Sequence, residues 1–213
     1  MRLIYSPAAC SISTHIVLEE IGRPFETQEI SARRGDAQSE WFRAINPKGK
    51  VPVLILDDGG IVTETPVILQ YLARYHEEAK LLPSGAADAL AALQICEYLS
   101  NTVHNYALTR LFRPQLFCSH EEHWEEVRTE GHKNLLDAFD IVAAGFQGGP
   151  LRFVDFSIVD ASLFFFEIHA VRLGIPMPAA LNIHLEAMLA RPAVRRVVER
   201  EQLPWVSSAV ATQ

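Results

Sequence analysis

Every run that reads as a β-strand lies before Glu64, and after Ala79-Lys-Leu-Leu-Pro-Ser-Gly85 the strand signal disappears. The β-like runs are Arg2–Tyr5, Phe25–Ile30, Val51–Leu56 and Ile61–Thr63, with Asp57-Asp-Gly-Gly60 separating the last two at hairpin length. Helical patterns fall between them. Ile12, Ile16, Val17 and Ile21 recur at helical spacing, Ser39–Ile45 is shorter and weaker, and Val67, Ile68, Tyr71, Leu72 and Tyr75 form one stripe over Pro66–His76. The order β-α-β-α-β-β-α predicts a small α/β sheet module over residues 1 to 77.

From Ala86 the patterning is helical throughout. One long helix is expected from Ala86 to about Gln115, with Leu90, Leu93, Tyr98 and Leu108 among its apolar positions. A second runs from Ser119 to Ala144, opened by Ser119 with Glu122 three residues on, a capping-box pattern. A loop marked by Gly148-Gly-Pro150 follows. Ser157–Leu173 is a third helix, with Ser157 as N-cap and Asp160 placed to reach back. Leu163 to Phe166 are apolar all round, so this helix should be central. Shorter helices follow at Ala179–Ala190 and Ala193–Glu201, and Leu203–Gln213 reads as a loose tail. The 213 residues allow one large or two small domains. The expected organisation is an α/β domain, 1–77, and an all-helical domain, 86–205.

Charge and composition narrow the partners. Nineteen Lys and Arg against 26 Asp and Glu give a net charge of -7, so no global field draws the chain to nucleic acid or anionic membrane. The longest stretch without Asp, Glu, Lys or Arg, Leu3–Leu18, contains Pro7 and His15 and is shorter than the ~20 apolar residues of a membrane span. It has no sustained apolar region of the signal-peptide kind, so a cytoplasmic protein is expected. The three cysteines, Cys10, Cys96 and Cys118, are too sparse for a disulfide framework or a zinc site.

Three segments can carry chemistry. Cys10 stands immediately before a helix that Ser11 could cap, where free N–H groups and the helix dipole favour thiolate over thiol. A buried core thiol is the competing reading, with about equal weight. Lys50-Val51-Pro52 opens an apolar strand; a cis bond there would turn the Val51 backbone outward, where it could pair with a peptide-like ligand. In Thr63-Glu64-Thr65-Pro66, Thr65 is a good N-cap and Pro66 suits the first helical position, and helix N-termini bind carboxylates. With Glu64 accepting from an ammonium group, the segment suits the end of an α-amino acid; an ordinary capped helix is the plainer reading. His104, near Asn101 and Asn105, reads by itself as a hydrogen-bonded histidine. His120 and His123 form an i,i+3 pair with no evident third ligand, so no metal site is expected.

The order of Tyr5, Ser6-Pro-Ala-Ala-Cys-Ser11, His15, Asn46-Pro-Lys-Gly-Lys-Val-Pro52 and Thr63-Glu64-Thr65 resembles the thioredoxin-like amino-terminal domain of glutathione transferases. The helical half agrees through Ser157-Ile-Val-Asp160 and the late Arg191-Pro192 turn. Within the family the chain is most similar to the bacterial beta class, with a cysteine before the first helix (Cys10) and a histidine in the fourth (His104). The resemblance implies a cytoplasmic detoxification enzyme and homodimer. It would use glutathione as co-substrate, without metal, and act on a small hydrophobic electrophile.

It further implies site roles. Val51 would pair with the cysteinyl part of glutathione beside a cis Pro52, Glu64 and Thr65 would hold the γ-glutamyl end, Lys50 would stand near the glycyl end, and Arg33 or Arg34 would add charge. Cys10 and His104 would serve the thiol, with Tyr5 and Ser11 as rival hydroxyl donors. The electrophile pocket would lie near Ala8, Ala9, Tyr106 and Phe112. Glu97 stands where relatives can carry an asparagine toward the partner's glutathione, and an acid there would repel a carboxylate. A glutathione-dependent disulfide reductase or peroxidase working through Cys10, and a non-enzymatic binding member, are the alternatives.

Overall fold

The computed structural model describes residues 1–32, 34–145 and 156–206. Strands β1 (Arg2–Tyr5), β2 (Glu26–Glu29), β3 (Val53–Ile55) and β4 (Ile61–Thr63) form one sheet in the order β2-β1-β3-β4. β1 and β2 are parallel, with Arg2 opposite Glu26, and helix α1 (Ser11–Ile21) links them. β3 runs antiparallel to both β1 and β4, with Leu54 opposite Leu3 and Val62. Successive side chains of β1 serve opposite faces, as strand geometry requires. Leu3 and Tyr5 join the core under α1 and α3 (Thr65–Tyr75), whereas Ile4 joins Val53, Ile30 and Phe42 under α2 (Glu40–Ile45). The α/β order read from the sequence is present, with β2 and β3 shorter than their β-like runs.

The helical half begins with α4 (Ala86–Glu97), which continues as a π-helical stretch, Tyr98–Leu108, and ends in α5 (Thr109–Phe112). The Thr109 amide and hydroxyl both donate to the His104 carbonyl, the hydroxyl at 2.8 Å, so the ladder here spans five residues. The expected helix to Gln115 stops at Phe112 because Pro114 disfavours helical geometry at Arg113, whose φ of -140° has already left it. Ser119 does not cap the next helix. A 3₁₀ turn, Glu121–His123, precedes α6 (Trp124–Gly145), and the Trp124 indole N–H anchors the entry by donating to the Cys118 carbonyl at 2.9 Å. The expected Gly148-Gly-Pro150 loop lies outside the described residues.

Helix α7 (Ile158–Leu173) is buried without interruption from Ile158 to Ala170. Its capping box is formed: the Val159 amide donates to Ser157 Oγ at 3.2 Å and the Ser157 amide to Asp160 Oδ2 at 2.7 Å. α8 (Ala179–Ala190) and α9 (Pro192–Arg200) follow. Arg191 between them grips Glu20 of α1 with two hydrogen bonds, 2.7 and 3.0 Å, and stacks over Phe156. The tail is not loose at its start: Leu203 and Val206 are buried and Trp205 packs against His169 and Arg172. Apolar residues of α1, α3, α4 and α7 form one continuous cluster, so the sheet half and the helical half share a core. Among the described residues no helix is long and apolar enough to cross a membrane.

One buried charge cluster sits inside the helical half. His184 of α8 places Nδ1 2.7 Å from Glu167 Oε1 and Nε2 3.2 Å from Asp160 Oδ1, both on α7. Burial opposes its charge, but the carboxylates on both sides of the ring hold its pKa up at about 10. A folded value above the ~6.5 of an unfolded histidine means its stabilisation is complete below about pH 6.5 and is lost as pH rises toward 10. Burial pushes Glu167 upward as well, which gives the same sign. His184→Gln is therefore expected to cost on the order of 3–5 kcal/mol at pH 7, because two buried carboxylates lose their shared counter-charge. Urea unfolding at pH 7 and pH 9.5 should show the parent losing stability between the two and the variant losing much less.

Candidate functional site

Three chain segments of the sheet half meet at the start of α1. The loop after β1 delivers Cys10 as the cap residue of α1, the loop before β3 delivers Val51 with its cis bond to Pro52, and Thr65 opens α3. The Cys10 thiol donates to the Val51 carbonyl at 3.6 Å, and the Thr65 hydroxyl also hydrogen-bonds the sulfur. Across from them the helical half supplies Cys96, Leu99 and His104 from the α4 and π-helical segment and Ser162, Phe165 and Phe166 from α7. Between these walls lies a cavity of about 20 Å³, room for one water-sized group.

The loop before Pro52 is built by Asn46. This buried side chain donates to the Lys50 carbonyl at 2.7 Å and accepts from the Lys48 amide at 3.3 Å. Gly49, with φ of 64°, closes the turn; a Cβ there would stand 2.8 Å from Gln38 Nε2. Lys48 is the site residue that sequence reasoning left unassigned, although it lies inside the quoted motif. Its ammonium donates to Thr63 Oγ1 at 2.7 Å and pairs with Glu64. Glu64, the cap of α3 at φ 71°, therefore faces a cation already in place.

The electrostatics correct one expectation. Burial pushes the Cys10 thiol up; the Thr65 hydroxyl, the helix-start backbone and Lys50 pull the other way but do not win. Cys10 is only partly covered as a residue, yet its sulfur points into the enclosed space. It rests as a neutral thiol. Burial also drives His104 down to about 4, with Lys50 and Arg113 adding to the effect. Its ring stands edge-on to Phe165, centroids 5.3 Å apart, and is an uncharged imidazole at neutral pH.

Of the other expected site residues, Ser11 and Tyr5 do not line this cavity. Ser11 is not a cap: it is the first residue of α1, fully buried, and its hydroxyl bonds the Ser6 carbonyl at 3.2 Å. Thr65 is likewise the first residue of its helix, with Pro66 second. The Tyr5 hydroxyl reaches Glu29 at 3.3 Å, its ring lies against His15, and burial raises it to about 12, so it does not face the cavity. Arg34 is exposed beside Asp36, and Arg33 lies outside the described residues. Lys50 is exposed. Glu97 accepts from Asn101. Tyr106 faces α6 and Arg110, while Phe112 packs against His169, which itself packs on Phe165 of the cavity wall.

The family model described as Glutathione S-transferase, N-terminal domain, matches residues 9–74, the part that carries Cys10, Val51, Glu64 and Thr65. Glutathione S-transferase GstA of Escherichia coli O157:H7 is 32% identical over 208 residues, covering 95% of this chain and 100% of that protein. The chain belongs to the glutathione S-transferase family. A solved sphingomonad glutathione S-transferase complexed with glutathione is 30% identical with a TM-score of 0.82, over 95% of this chain and 100% of that one. A bacterial beta class enzyme of Sphingomonas chungbukensis is similar at 28% identity, with the same TM-score and coverage. The thioredoxin-like sheet half and helical second half are thus the arrangement of this transferase family.

In a transferase with this site, the free Cys10 thiol should titrate above the ordinary thiol range. Thr65→Val removes the hydroxyl that opposes burial and should raise the value further. Thiolate absorbance followed from pH 6 to 11, with Cys10→Ala as the blank, measures both; a Cys10 titration below pH 8 would contradict the enclosed-thiol account.

Proposed function

We propose that this chain is a glutathione transferase of beta-class type that activates the glutathione thiol for attack on a small hydrophobic electrophile. The observation that carries the reading is the convergence of Cys10, the Val51 backbone beside cis Pro52 and the Thr65 helix start at one cleft closed by His104. Glutathione bound there would lie along the Val51 backbone, its γ-glutamyl carboxylate at the start of α3 and its ammonium at Glu64 in exchange for Lys48. Lys50 and Lys48, with Arg33 or Arg34, would supply positive charge for the tripeptide anion within an acidic chain. Residues 1–77 would then bind glutathione and residues 86–205 would wall the second substrate, among aromatic side chains such as Phe165 and Phe166.

The charge states of Cys10 and His104 support a division of roles. A neutral Cys10 thiol can donate a hydrogen bond to the glutathione sulfur, which favours its thiolate. Neutral His104 offers one ring N–H donor and one acceptor nitrogen but, with its pKa near 4, carries no acidic imidazolium proton for general-acid transfer at pH 7. The thiolate sulfur then forms a bond to the electrophilic carbon, and the leaving group departs with its electron pair. The raised Cys10 value favours this conjugation over a cysteine-centred exchange, because a protonated thiol attacks disulfides slowly. A metal-free, cytoplasmic detoxification role and a homodimer belong to the same reading. The exposed apolar side chains of Ile61, Val67, Tyr75 and Leu90 supply surface that a second copy could cover.

The protein should be retained on immobilised glutathione and eluted by free glutathione. Glu64→Gln, which loses the charge facing the ammonium, should raise the KM for glutathione about tenfold. Failure of the unaltered protein to bind would leave only the non-enzymatic alternative. Across a panel of conjugation, peroxide and disulfide acceptors, Cys10→Ala should lower conjugation but leave it measurable. Complete loss, with disulfide exchange as the parent's dominant activity, would establish the reductase alternative instead.

A further inference from the structure

The loop that ends on Cys10 is held from the far end of the chain. Between Ser6 and Cys10 the Ala9 amide donates to the Ser6 carbonyl at 3.0 Å, and the Ile12 amide to the Ala9 carbonyl at 3.0 Å. At the centre, Ala8 has φ of 57°, the left-handed region where a Cβ crowds the backbone and glycine is favoured. The Ala8 amide donates to Glu201 Oε2 at 3.0 Å, and Oε1 of the same carboxylate lies 2.8 Å from His15 Nδ1. Glu201 follows the last turn of α9, His15 lies on α1, and both side chains are wholly buried. An alanine in this conformation persists only where its surroundings hold it, and the Glu201 carboxylate is the group bonded to its amide.

We propose that Glu201 is a positioning residue for Cys10: it pins Ala8 in the left-handed turn and thereby fixes the sulfur against the Val51 carbonyl and the Thr65 hydroxyl. A plain tie between the two halves of the core would need the His15 contact alone; the Ala8 contact is the part that reaches the thiol. Only the turnover arm of the test below rests on the glutathione reading.

The test compares the full-length protein with Glu201→Met, Glu201→Gln and the double variant Glu201→Met/Ala8→Gly. The readouts are Cys10 alkylation by iodoacetamide as a function of pH, assigned by mass spectrometry, and kcat and KM for glutathione-dependent conjugation. In Glu201→Met the loop relaxes and the thiol is less enclosed. Its apparent pKa should fall by about half a unit, read as about a threefold faster alkylation at pH 7, while kcat drops. Glu201→Gln keeps an acceptor for the Ala8 amide and should stay near the parent in both. In the double variant glycine takes the turn unaided, so alkylation should return toward the parent although the His15 contact stays broken.

The proposal is overturned if folded Glu201→Met alkylates like the parent, or if Ala8→Gly restores nothing. Should Glu201→Met not fold, amide hydrogen exchange of the unaltered protein decides. Ala8 must exchange as slowly as the amides of α1, and exchange at the rate of an open loop overturns the idea. Absence of glutathione turnover in the parent would sink the function proposed above while leaving the alkylation and exchange arms intact.

Discussion

From Ile158 to Ala170 helix α7 has no solvent face, and that one constraint arranges everything around it. A helix apolar on all sides must be enclosed on all sides, so α1 and α3 of the sheet half cover part of it and α4 and α8 cover the rest. Burying Phe164, Leu163 and Ile168 contributes on the order of 1.5–3 kcal/mol for each side chain. The same enclosure makes its polar groups expensive unless each is answered. Asp160 is answered by the Ser157 amide and His184, the His169 ring by the Phe165 carbonyl, and Glu167 by His184 through Oε1 alone, its Oε2 being buried without a hydrogen bond.

The cleft beside α7 follows from how the two halves close on each other. Cys10 is enclosed because α7 and the π-helical segment stand directly over the start of α1, and enclosure outweighs what a helix start offers a thiolate. The neighbouring imidazole meets the same low-polarity surroundings and gives up its charge. Two groups that free in water would straddle neutrality are thus both held in their uncharged forms, and a ligand anion entering between them meets hydrogen-bonding partners rather than a competing charge.

What was legible in the sequence is what local patterning encodes. The two-residue and 3.6-residue periods gave the strand and helix order, the Asp57-Asp-Gly-Gly60 turn gave the hairpin, and Ser157 with Asp160 gave the cap of α7. The motif around Val51-Pro52 gave the cis bond through family likeness. The misplaced features depend on partners distant in sequence or on competing local bonds. Ser119 had the right spacing for a cap, but the Trp124 indole set the helix start. Tyr5 looked available until Glu29, on the neighbouring strand, took its hydroxyl. Nothing near Ala8 signals Glu201, whose bond to it spans 193 positions. The Cys10 thiol misled for a related reason: a helix start is a local feature, while desolvation is set by walls from elsewhere in the chain.

The core that runs unbroken from α1 into α7 also governs how such a chain can change over generations. Its first 77 residues have the outline of a free-standing module, yet Ile12, Ile16 and Leu72 are sealed by helices encoded far downstream. Excised, that module would carry a bare apolar flank into water. Grafted onto a foreign helical partner, it would need that partner to reproduce the contours of α7. The halves of this protein are therefore not interchangeable parts, and drift in the packing of one must be matched by drift in the other.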